Sequence, residues 1–122
     1  RLIIKKDGNL QYNAGYGSVA TAYACRAWIN FDGTGTISIR NSGGVSSISD
    51  RGTGKWRVTF ASQIVDADYS THVNINQGSS AYVRVASHES SGAYSMDAVD
   101  IISEADGGAE VDRDTVCVTI FR

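Results

Sequence analysis

Residues 25–60 read "CRAWINFDGTGTISIRNSGGVSSISDRGTGKWRVTF". Short runs of alternating side chains follow one another, each closed by glycine. In "KWRVTF", Trp56, Val58 and Phe60 alternate with Lys55, Arg57 and Thr59. A period of two sends successive side chains to opposite faces, which is the pattern of a half-buried strand. "CRAWINF" puts Cys25, Ala27, Ile29 and Phe31 on its apolar phase, and "TISIR" sets Ile37 and Ile39 against Thr36, Ser38 and Arg40. "VSSIS" continues as a short strand. Asp32-Gly33, "NSGG" and "DRGTG" read as the turns between them. Glycine reaches positive φ without a steric penalty, and Asp and Asn fold back on their own backbone. The stretch predicts antiparallel strands joined by tight turns.

The same grammar runs outward in both directions. Upstream, "RLIIKKDGNLQY" predicts a hairpin of Leu2–Ile4 and Leu10–Tyr12 around Asp7-Gly8 or Gly8-Asn9. "NAGYGSVATAY" is small, polar and without a period, and reads as a linker. Downstream, "DADYSTHVNIN" puts Tyr69, Thr71, Val73 and Ile75 on one face. "AYVRVASH", "SMDAVDIIS" and "TVCVTIFR" are further strands, the helix period fitting residues 96–105 poorly. Turn signals recur about every 8–12 residues, which argues for an all-β sandwich or barrel, and an antiparallel, jelly-roll-like sandwich is the expected fold. Residues 1–21 are expected to form a hairpin and linker, and 22–122 the sandwich.

The 122 residues suffice for one domain. The formal net charge of -2 argues against a nucleic-acid partner, since phosphate neutralisation needs clustered Lys and Arg. No apolar run approaches the roughly 20 residues of a spanning helix, and no membrane insertion is expected. The chain starts in a strand-like run without Met, which reads as a piece of a longer protein or a processed product. It stops on a strand at Arg122, which reads as a closing strand.

Catalytic groups are sparse. Neither "GGVSS" nor "QGSSA" forms the G-x-S-x-G elbow of a nucleophilic serine, and His72 and His88 read as surface or interface imidazoles. Cys25, His72, His88 and Cys117 have no metal-ligand spacing, so no metal site within one chain and no cofactor is expected, although a single histidine repeated around an oligomer axis could still bind an ion. The acids are spread along loops and strand edges, where charge blunts edge pairing. No repeat of 20–30 residues suggests a depolymerising β-helix. The phases put Cys25 and Cys117 on different layers, which disfavours a disulfide between them.

Two strands carry bulky residues on both faces. Trp28 opposes Ala27, Ile29 and Phe31, and Phe121 opposes Val118 and Ile120. A sandwich needs only one apolar face per sheet. A second one predicts a further buried contact, most simply another copy of the chain. Trp28, Cys117 and Phe121 are the expected interface residues.

The opening stretch resembles the C-terminal domain of a group of bacteriophage tail-fibre and virion structural proteins. Their signature is "CRAWVNFxGTGT-x-IR-x-S-x-x-VSSI-x-DxGTGxYxVxF", followed by an acidic "DANY" strand start and a closing strand like "ISVAVFR". Here the matching residues are Cys25 to Phe31, Gly33 to Thr36, Ile39-Arg40, Val45 to Ile48, Asp50, Gly52 to Gly54, Val58, Phe60, Asp66 to Tyr69, and Val116 to Arg122. The match spans 22–75 and 112–122, while 76–111 follows it in strand spacing alone. Val65 replaces the family's usual Pro, and Trp56 stands where Tyr is common. "RLIIKKDGNLQY" is similar to the shaft units that precede such tips.

The resemblance implies a non-catalytic protein of the phage tail, extracellular when it acts, trimeric, and joined to other tail proteins. Its partner would be a glycan or protein of the host surface. A capsid-decoration or tail-adaptor part without a ligand site is the alternative. Aromatic rings pack on sugar C–H faces, which makes Trp56, Tyr82, Tyr94 and His88 the candidate ligand contacts, because they lie in or beside the least family-like region.

Overall fold

Alternation of the kind seen at Lys55–Phe60 folds as expected. The structure, a computed structural model, describes residues 2–13, 18–76, 81–84, 94–105 and 107–122, with 81–84 as backbone alone. Among the described residues there are eleven strands and no helix. Three small ones, β1 (Leu2–Ile4), β2 (Leu10–Tyr12) and β3 (Ala20–Thr21), form their own antiparallel sheet. The other eight are β4 (Cys25–Asp32), β5 (Ser38–Gly43), β6 (Val45–Gly52), β7 (Lys55–Phe60), β8 (Ser70–Ile75), β9 (Ala81–Arg84), β10 (Ala98–Ala105) and β11 (Val116–Phe121). They make two four-stranded antiparallel sheets, ordered β5-β4-β11-β8 and β6-β7-β10-β9. Eight strands in two sheets is the jelly-roll count. The connection order is the protein's own: β4–β5, β6–β7 and β9–β10 pair as sequence neighbours, while β11 lies between β4 and β8.

The core fills the space between these sheets. Ala27, Ile29 and Phe31 of β4 and Val116, Val118 and Ile120 of β11 face Trp56, Val58 and Phe60 of β7 and Val99 and Ile101 of β10. Ile64 and Tyr69, from the connection between β7 and β8, close it. Burying each large apolar side chain contributes about 1.5–3 kcal/mol. The Phe31 and Trp56 rings meet edge to face at 5.4 Å, and Phe60 and Tyr69 at 5.6 Å.

The turn chemistry of residues 32–54 explains the signature. Asp32 Oδ1 accepts the Thr34 amide at 2.9 Å and its hydroxyl at 2.6 Å. Asp50 Oδ1 accepts the Gly52 amide at 2.8 Å. Gly54 has φ +67°, and a Cβ there would lie 2.6 Å from the Ser103 carbonyl oxygen.

Three local features differ from the sequence reading. "NSGG" does not reverse the chain within one sheet. β5 runs through Gly43, and Gly44, at φ +69°, is a corner where the chain crosses to the second sheet as β6. The linker "NAGYGSVATAY" contributes β3, whose Gln11↔Thr21 and Tyr12↔Ala20 pairs extend the hairpin. Cys25 leaves the apolar phase. Pairing shifts from Ile120↔Ala27 to Phe121↔Cys25, so a bulge at Arg26 turns the exposed Cys25 to the outer face. Both thiols are free.

Candidate functional site

The alternation of β7 that predicts its strand also decides where Trp56 goes. It is 1% exposed, so it is a core residue and no ligand contact. Its ring lies against Gly33, where an added Cβ would sit 2.5 Å from Cζ2. Among the described residues its Nε1 has no hydrogen-bond partner, so packing alone fixes the ring. Tyr94 stands at the surface, 38% exposed, with its ring 5.3 Å from Tyr69. The Tyr82 backbone belongs to β9, while its side chain and the whole of His88 lie outside the described residues.

Trp28, Cys117 and Phe121 come together on one surface, the outer face of the β5-β4-β11-β8 sheet. Trp28 pairs with Thr119, Cys117 with Asn30 and Phe121 with Cys25. Thr119 pairs with His72 on its other side. The His72 and Phe121 rings meet edge to face at 5.7 Å. The Trp28 indole lies over Gly43, its Nε1 2.5 Å from the position a Cβ would take, and is 40% exposed. This sheet face bears two large rings and an imidazole, and Asn41, Asn30, Cys117 and Asn74 form one row of paired residues across it.

The N-terminal sheet has the same character. Leu2 pairs with Tyr12 and Ile4 with Leu10. All four side chains are exposed, Ile4 by 78%. The three strands are only two or three residues long and bury little of their own surface.

Charged groups organise the rest. Arg57 donates through Nε and Nη2 to the two oxygens of Asp100, at 2.7 and 2.8 Å. Asp100 is 4% exposed, and its hydrogen bonds raise the Arg57 pKa further. Arg122 forks onto Asp66 at 2.9 and 2.6 Å, which holds the Asp66 carboxyl below its usual range. Arg26 Nε donates to the Arg122 carbonyl at 2.8 Å. Lys55 pairs with Glu110. Burial pushes the Tyr69 phenol up to about 12. Its hydroxyl donates towards the Ala98 and Ser95 carbonyls, at 2.9 and 3.1 Å. Among the described residues no three His, Cys, Asp or Glu side chains gather as a metal site.

Tyr23, Arg26 and Arg122 line a groove that the sequence reading missed. Tyr23 precedes the first strand of the sandwich, Arg26 is the bulged residue and Arg122 follows the last strand. The one visible signal was a bare tyrosine in the small-residue run "ATAYA". No family model, curated protein or solved structure matches the chain.

Proposed function

We propose that this chain is the tip domain of a bacteriophage tail fibre, a non-catalytic homotrimer that attaches the virion to a glycan or protein of the host surface. The observation that carries the reading is uncovered apolar surface in two places. Trp28 and Phe121 stand on the outward face of a sheet whose inner face already fills the core. Leu2, Ile4, Leu10 and Tyr12 stand on a sheet with no core of its own. Copies of the chain packed side by side would seal both. The signature resemblance supplies the setting, the phage tail and its neighbouring proteins.

A sandwich of short turns and paired strands suits this work. It presents a rigid surface, and binding to a rigid surface loses less conformational entropy. The test is adsorption of labelled protein to a panel of bacterial strains. Saturable adsorption to some strains, competed by unlabelled protein, is expected. Absence of adsorption to every strain would replace attachment with the capsid-decoration or tail-adaptor reading.

A further inference from the structure

One hollow of about 350 Å³ opens on the sandwich itself, at the end where β4 begins and β11 finishes. It has the size at which small-molecule sites begin, about 300 Å³. Arg26 and Arg122 line it from one side, and Ser62, Gln63, Ile64 and Val65 from the β7–β8 connection. No carboxylate lines it. Asp66 and Asp97 stand outside the lining, bonded to Arg122 and Gln63.

The two guanidinium groups differ. Arg122 spends Nε and Nη2 on the two oxygens of Asp66, and that pair is close to neutral. Arg26 has no acid partner among the described residues. Its Nε donates to the Arg122 carbonyl at 2.8 Å, which anchors one edge of the group. Among the described residues nothing takes its Nη hydrogens. An anchored guanidinium with an unused donor edge is a fork for a carboxylate, which it can meet through two parallel bonds.

The rest of the lining says what body that carboxylate belongs to. Val65 is 78% exposed and gives an apolar wall. Gln63 donates through Nε2 to Asp97 at 2.7 Å, which leaves its Oε1 to accept from a hydroxyl. The Ser62 hydroxyl donates or accepts. A bare inorganic anion would use Arg26 alone. A hydrocarbon acid would leave Ser62 and Gln63 without partners. A sugar acid has a carboxylate, hydroxyls and a C–H face, and uses all of them.

We propose that this hollow is a subsite for an acidic sugar unit, a uronic or sialic acid, of a surface polysaccharide, with the Nη edge of Arg26 receiving its carboxylate. The proposal rests on the attachment reading and names the ligand class and its place.

The test is binding of the assembled protein to immobilised oligomers of glucuronic acid and of sialic acid, beside neutral glucose oligomers. Binding to at least one acidic oligomer and not to the neutral one is expected. It should weaken about tenfold or more in Arg26→Gln, the loss of one charged hydrogen-bonding group. Val65→Glu should weaken it as much, by setting a carboxylate in the hollow. Val65 is so exposed that this variant should keep the wild-type melting temperature, which separates loss of the site from loss of the fold. Arg51→Gln removes the same charge from the edge strand β6 and should change nothing. Undiminished binding in Arg26→Gln and Val65→Glu would overturn the subsite. So would equal weakening in Arg51→Gln, equal binding of the neutral oligomers, or displacement by inorganic phosphate as effective as by free glucuronate. Adsorption to bacterial strains without acidic-oligomer binding overturns the subsite and leaves attachment standing, whereas absence of adsorption overturns attachment.

Discussion

Gly33 and Trp56 depend on each other. The indole occupies the space a side chain at 33 would need, so Gly33→Ala must push a ring that is itself wedged against Phe31. Overpacking of this kind costs about 1–3 kcal/mol. Urea denaturation of the variant should show that loss, with the slope unchanged. Tyr69 offers a second test at the same scale. Its phenol is pushed up to about 12 by burial, so its neutral form is the one the fold holds. The associated stability is whole below the unfolded value near 10 and is lost as pH rises through about 12. An ultraviolet titration of the six tyrosines should show one ionising late, and Tyr69→Phe should remove that step. The turn glycines were legible in the sequence because the "DG" and "GTG" runs state their own geometry. Trp56 was not, because an aromatic residue in an alternating strand looks the same whether its phase faces core or ligand.

Strands and their pairings carry the next set of consequences. Arg57 on β7 and Asp100 on β10 are cross-strand partners. Arg57→Ala would strand a carboxylate that is 4% exposed. Breaking a fully buried pair costs about 3–5 kcal/mol, and the partial solvation of Arg57 lowers the expectation to about 1–3 kcal/mol by denaturation. Arg122, just beyond β11, ties to Asp66 ahead of β8, and this pair has a pH signature. The Asp66 pKa is depressed, chiefly by the Arg122 hydrogen bonds, so its contribution is present above the unfolded value near 4 and is lost as pH falls through the folded one. The melting temperatures of wild type and Asp66→Asn should differ at pH 6 and converge in strong acid. Strand existence was readable for the sandwich, residues 98–105 included, where a β-branched run that fits a helix period poorly becomes a strand buried on both faces, but not for β3, a two-residue strand inside a small-residue run. The bulge at Arg26 and the corner at Gly44 were not readable either. A bulge shifts phase without leaving a residue type behind, and a Gly-Gly pair suits a corner as well as a hairpin. The hollows beside Arg26 were hidden for the same reason, since they need segments near residues 8–10, 23–26, 62–65 and 122 to meet.

At the scale of the whole molecule, one chain leaves its surfaces unfinished. The outer face of β5-β4-β11-β8 carries Trp28, Phe121 and His72, and the N-terminal sheet carries four exposed apolar side chains. The two-faced strands were visible in the sequence as Trp28 and Phe121 out of phase with the core. The structure adds that they share a face with Cys117. If that face is a subunit contact, Trp28→Glu should shift the assembled protein towards monomer while its circular dichroism remains that of a β-sandwich. Charge in the middle of a dry contact is costly, whereas on a wetted sheet face it is neutral. The measurement to make is the mass of the wild-type chain by light scattering in dilute buffer. A mass near three times 13.0 kDa, falling in Trp28→Glu, is expected. A stable, folded monomer for the wild type would contradict the trimer and the covering role assigned to these faces.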